Sequence, residues 1–167
     1  MINKINFMFV TFFGVGKINF APGTFASALT AFFLFYLFHV VKLSNEIIFI
    51  LFMIIFLYSF YAVKIYIENK ENKDPKEVVI DEVIGQAIPL YLYEISHGVN
   101  KETQEAFLYY IYIFILFRFF DIKKPFPVNF FDIKYKNSFG VIIDDVVAGL
   151  YTVITLIIFM IIKSKFF

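Results

Sequence analysis

Residues 47–67 read IIFILFMIIFLYSFYAVKIYI. One charge, Lys64, falls in this stretch, close to its end. A run of this length at about 1.5 Å rise per residue crosses the roughly 30 Å hydrocarbon core of a bilayer, and in water it would have no partner large enough to cover it. Just before it, FASALTAFFLFYLFHVV at 25–41 carries no Asp, Glu, Lys or Arg. The five residues between the two, KLSNE, suit a tight antiparallel connection. The pair predicts an all-α, polytopic membrane bundle, and the rest of the chain is read outward from it.

Composition agrees. Of 167 residues, 60% are hydrophobic, 22% aromatic and only 17% charged, against about a quarter charged in an average soluble domain. The length fits a single membrane-embedded domain over residues 1–167. The net charge of +1 gives no electrostatic ground for a nucleic-acid partner. The absence of Cys excludes disulfides, thiolate metal sites and cysteine nucleophiles. No obligate protein partner is inferred. At the start, Lys4 and FMFVTFF resemble a signal peptide without a cleavage site, so an amphipathic or buried first helix is expected.

Three further apolar runs follow. EVVIDEVIGQAIPLYLYEI (77–95) has Asp81, Glu82 and an internal Pro89; AFLYYIYIFILFRFF (106–120) ends in Arg118; VVAGLYTVITLIIFMII (146–162) closes on Lys163 and Lys165. The bundle is thus expected to have four to five transmembrane or partly spanning helices, the third and fourth runs being short. Pro125 and Pro127 end the fourth helix. With five crossings, eleven of the 15 basic residues fall on the side of the N-terminus and four on the other, which orients the former side to the cytoplasm. His39 lies within an apolar span and reads as a packing or hydrogen-bonding residue, and His97 precedes a turn on the opposite face.

In this topology the polar clusters meet at one membrane face. The first span begins after Thr24, read as its N-cap; the third begins at Asp81 and Glu82; the fourth ends at Arg118 and Asp121; the fifth is expected to begin at Asp144 and Asp145. Acidic residues at helix N-termini serve as caps, and carboxylates in apolar sequence also line ion pathways. Two doubled acids on one face, each adding repulsion and desolvation cost, are better explained by a divalent cation such as Mg²⁺, an oxygen-seeking ion. Arg118 and Asp121, three apart on one helix face, form either a surface ion pair or a phosphate grip beside a metal ligand or base. Lys123 and Lys124 are positive residues at the lipid surface, suited to anionic headgroups. GVGKINFAPGT (14–24) is neither a Walker loop nor a dinucleotide fingerprint, although the helix start after it offers free amides to a phosphate.

Taken in order, APGTFAS (21–27), DPKEVVIDEVIGQ (74–86), FRFFDIKKPFP (117–127) and FGVIIDDVVAGLY (139–151) resemble the bacterial phosphatidylglycerophosphatase A family over nearly the whole chain. One departure is Asn137-Ser138, where that family usually carries Gly-Gly. The resemblance implies an all-helical, multi-pass, Mg²⁺-dependent lipid phosphatase of the bacterial cytoplasmic membrane. It would convert phosphatidylglycerophosphate to phosphatidylglycerol and inorganic phosphate. In that frame Asp81, Glu82, Asp144 and Asp145 hold the metal, Asp121, Asp145 and Arg118 are catalytic, and Lys17, Thr24, Lys123 and Lys124 bind substrate. A water is the preferred nucleophile, with an aspartyl-phosphate at Asp121 or Asp145 as the other route. A small transporter with the carboxylates as its cation site is the competing reading.

Overall fold

The structure is a computed structural model and describes residues 4–97 and 103–166. Every regular element among them is helical: α1 (Lys4–Val10), a 3₁₀ turn (Val15–Lys17), α2 (Pro22–Phe35) with a π-helical continuation (Tyr36–Val41), α3 (Asn45–Ile67), α4 (Ile80–His97), α5 (Thr103–Lys123), α6 (Val128–Lys134) and α7 (Ser138–Phe166). Three helical stretches, Pro22–Val41, Asn45–Ile67 and Ser138–Lys165, are long and apolar enough to cross a membrane. Large apolar side chains stay exposed along them, including Phe32 and Phe33 on α2, Ile54 and Leu57 on α3, and Ile157 and Ile158 on α7. That is an outer surface made for lipid. α4 is the central element: it packs on α7, α2, α3 and α5.

Two glycines set how closely α4 and α7 approach. A Cβ on Gly149 would lie 2.5 Å from the Gly85 carbonyl oxygen, and one on Gly85 would lie 2.6 Å from the Asp145 carbonyl oxygen. Pro89 is four residues beyond Gly85 and has no N–H, so the Gly85 carbonyl lacks its intrahelical donor. That carbonyl is the one which meets Gly149 across the contact. The interior divides along α4. Val10, Val63, Tyr66, Ile84 and Ile142 join α1, α3, α4 and α7 near the polar end. Leu90, Tyr93, Tyr110, Ile113 and Leu156 join α4, α5 and α7 further along. There His39 Nε2 and Glu94 Oε1 meet at 3.0 Å, Glu94 buried and His39 partly so, and His39 takes the hydrogen-bonding role expected of it.

Two expected boundaries are corrected. α7 begins at Ser138, so Asp144 and Asp145 lie in its second turn and are not at its start. Asn137 caps it: its Oδ1 accepts from the N–H of Phe139 at 3.0 Å and of Gly140 at 3.1 Å. Thr24 is not an N-cap. α2 starts at Pro22, behind Ala21, whose φ of 45° is left-handed, and Thr24 is already inside the helix. Proline suits a first helical turn because its missing N–H would have no partner there. α1 is half-buried, with Asn6 and Val10 inside and Ile5 and Met8 outside. The expected far-side turn around Asn100 and Lys101 and the side chain of His97 lie outside the described residues.

Candidate active site

Four helices bring their polar ends to one cavity of about 340 Å³. The start of α2 contributes Ala21, Pro22 and Gly23, α4 contributes Asp81 and Glu82, the end of α5 Arg118 and Asp121, and α7 Asp144 and Asp145; Lys124 lines it just beyond α5. The expected convergence therefore exists in three dimensions.

Asp81, Glu82 and Asp145 each offer a carboxylate oxygen, and these oxygens lie within 4.8 Å of one another. Asp81, Asp121, Asp144 and Asp145 are all buried. Asp81 Oδ1 and Glu82 Oε2 are buried without a hydrogen-bond partner. A buried carboxylate oxygen left unpaired costs several kcal/mol, and nearby like charges add to it. Helix capping cannot account for Asp145, which lies well inside α7 and is flanked by α4. A Cβ on Gly23 would fall on the Glu82 carboxylate, so a larger residue there would displace that side chain from its place in the cavity.

The fourth acid of the expected metal set has another partner. Asp144 Oδ2 accepts from Lys124 Nζ at 2.6 Å, and its Oδ1 accepts from the Asp145 N–H at 3.0 Å. Arg118 is drawn inward, with only 14% of its side chain exposed. It forms an ion pair with Asp121, its Nη1 lies 3.4 Å from Ser27 Oγ on α2, and its buried Nε has no partner. Of the expected phosphate-binding residues, Lys124 lines the cavity. Lys123 is exposed and Thr24 half-buried, neither lining it, and Lys17 lines an adjacent cavity. Sequence reasoning missed Asp74, Lys76, Asn19 and Ser27. The first three lie in loops with no periodic signal, although Asp74 and Lys76 stand within the quoted DPKEVV run.

The arrangement is a pocket of oxygen ligands beside an Arg and a Lys at the polar end of a lipid-facing helical bundle, the equipment of a membrane-embedded phosphoryl-transfer enzyme. Residues 8–160 match the phosphatidylglycerophosphatase A family, and the chain belongs to that family of lipid phosphatases. It is 34% identical to phosphatidylglycerophosphatase A of Haemophilus influenzae over 157 residues, 92% of this chain and 87% of that one. It is 33% identical to a putative phosphatidylinositol-3-phosphatase of Bacteroides thetaiotaomicron over 146 residues, 86% of each chain. A 36-residue segment, 22% of this chain and 21% of that one, is 44% identical to phosphatidylglycerophosphatase A of Escherichia coli. No solved structure matches. The chain is thus a membrane phosphatase.

Proposed function

We propose that this enzyme removes the terminal phosphate of phosphatidylglycerophosphate at the cytoplasmic face of a bacterial inner membrane, with Mg²⁺ as cofactor. The observation that carries the reading is the trio Asp81, Glu82 and Asp145, with two buried and unpartnered oxygens, set beside an inward-turned Arg118. The donor set fits Mg²⁺: all-oxygen, anionic, and drawn from three residues, which leaves room for solvent and phosphate. When bound, the ion would neutralise phosphoryl charge.

The protein's own groups would do the remainder. The unpartnered Arg118 Nε–H and the Lys124 ammonium donate to phosphoryl oxygens and stabilise the charge that builds on them in the transition state. Ser27 and Asp121 fix the guanidinium from two helices, so it is oriented before substrate arrives. A water oxygen bonds to phosphorus, the bond from phosphorus to the glycerol oxygen breaks, and one proton passes from the water toward that oxygen. Asp121 takes this proton from the water and hands it on to the departing glycerol oxygen in this scheme. Asp144 holds Lys124 in place. All of residues 1–167 serve this one domain.

The test is phosphate release in mixed micelles from three lipids: phosphatidylglycerophosphate, phosphatidylinositol 3-phosphate and phosphatidic acid. Phosphatidylglycerophosphate is expected to show the highest kcat/KM. Preference for phosphatidylinositol 3-phosphate, in the direction of the Bacteroides relative's name, would reassign the substrate. Release from none of them would refute the proposed reaction.

A further inference from the structure

Next to the acidic cavity lies a second one of about 470 Å³, and the two share a wall made of Asn19, Pro22 and Lys76. Their charge is opposite in character. The first is lined by six carboxylates, and two of its cations, Arg118 and Lys124, are already in ion pairs. The second holds Lys17 and Lys76, both exposed, and a single acid, Glu77. Glu77 is itself neutralised: Lys70 forms an ion pair with it and Tyr66 donates to it at 3.1 Å. The Lys17 ammonium lies 4.6 Å over the Phe7 ring, which holds the side chain against the cavity wall. Among the described residues, the second cavity therefore has two lysine charges, and the one carboxylate on its lining is already paired with Lys70.

The loop beside it carries Ile18 and Phe20, 39% and 80% exposed. Apolar side chains presented by a loop at the polar end of a lipid-facing bundle belong at the headgroup level of the bilayer. A lipid whose phosphomonoester enters the acidic cavity has its phosphodiester at that same level, a few bonds away.

Resting on the reaction proposed above, we propose that the Lys17–Lys76 cavity is the subsite for the phosphodiester of the glycerophospholipid substrate. The enzyme would then recognise two anions: the one it cleaves, on Arg118 and Lys124, and the one it keeps, on Lys17 and Lys76. Phosphatidylglycerophosphate and phosphatidylinositol 3-phosphate both carry the second anion. Phosphatidic acid, whose phosphomonoester is attached directly to diacylglycerol, lacks it. The positioning role thus discriminates a class of lipid.

The test compares the full-length enzyme with Lys17→Gln/Lys76→Gln in micelles, using whichever diester-bearing lipid the parent cleaves faster. The ratio of its kcat/KM to that for phosphatidic acid is expected to fall about tenfold in the variant, mostly through KM. Inhibition by added phosphatidylglycerol, which has the diester and no monoester, should weaken to match, while inhibition by inorganic phosphate does not change. An equal loss on both lipids, or undiminished inhibition by phosphatidylglycerol, would overturn the subsite. Parent enzyme that cleaves only phosphatidic acid would refute it together with the substrate assignment. Parent enzyme that prefers phosphatidylinositol 3-phosphate would overturn the assignment alone and leave the variant's ratio to decide the subsite.

Discussion

Asp145 is the residue on which the most depends. It lies within a helix, is buried, and faces two acids from another helix. Asp145→Asn removes one negative charge from a self-repelling group and keeps the shape. Activity should drop by at least about a hundredfold while the protein remains folded, since about 3 kcal/mol of transition-state stabilisation is a reasonable share for one electrostatic group. Melting of the variant with chelator present should occur no lower than the parent's; an unfolded variant or normal turnover would contradict the assignment. Arg118 separates two roles. A side chain that only reaches the membrane surface is replaced well by Lys, whereas one that grips phosphate through a planar fork is not. Arg118→Lys should therefore lose more than about tenfold in kcat/KM, or roughly 1.4 kcal/mol, with unchanged helicity by circular dichroism. Glu77 gives a pH expectation away from the bundle's apolar spans. The hydrogen bond from Lys70 holds its carboxyl below the ordinary 4.5, against the opposing effect of burial. A depressed acid stabilises the fold above its unfolded value and loses that contribution as pH falls through the folded one. Melting temperatures of parent and Glu77→Gln should thus differ at neutral pH and converge in acid below about 4.

At the scale of elements, the contact of α4 with α7 sets the distance between Asp145 and the pair Asp81 and Glu82. Gly149→Ala places a methyl against the Gly85 carbonyl and must push the helices apart. Overpacking of this kind costs about 1–3 kcal/mol. The larger expected consequence is functional: the Mg²⁺ concentration for half-maximal activity should rise at least about tenfold, since a divalent site with near-ideal octahedral demands tolerates little spreading. Asn137→Ala, by contrast, removes a cap outside the cavity and should cost about 1 kcal/mol in stability with kcat retained, read by thermal melts and phosphate release. These two elements also show what the sequence makes legible. Asp81 and Glu82 are visible as a helix start because the polar DPKE run breaks off sharply before them. The start of α7 is not, since SFGVII mixes a serine and a glycine into its first turn and resembles loop until Asn137 is seen capping it. The doubled aspartate therefore reads as a helix beginning, although it lies in an interior turn. Thr24 misleads in the same way: it reads as the N-cap, yet Pro22 and Gly23 before it already form the first turn of α2, where a larger residue at 23 would displace Glu82. Loop residues such as Asp74 and Asn19 reach the cavity by tertiary placement alone, and no spacing announces them.

For the whole molecule, a shared site requires the α3–α4 connection and the α5–α7 connection to lie on one side of the membrane. Single cysteines at Asn72 and Asn129, placed in a chain without other cysteines, should both be labelled by an impermeant maleimide from the cytoplasmic side only. Labelling from opposite sides would separate α4 from the end of α5. Long apolar runs made the lipid-facing bundle readable in advance, since exposure of Phe and Ile over whole helices has no meaning in water. What those runs cannot encode is which helices touch, because all are similarly greasy, and the α4–α7 contact rests on two glycines and a proline. The central claim is that the carboxylates of α4 and α7 jointly hold a divalent cation used to cleave a lipid phosphomonoester. It is tested most directly by phosphate release from phosphatidylglycerophosphate micelles after chelation, titrated with Mg²⁺, in the parent, Asp81→Asn and Asp145→Asn. No release is expected without the ion, with saturable restoration in the parent and little restoration in either variant. Full activity in chelator, or parent-like Mg²⁺ curves in both variants, would contradict it.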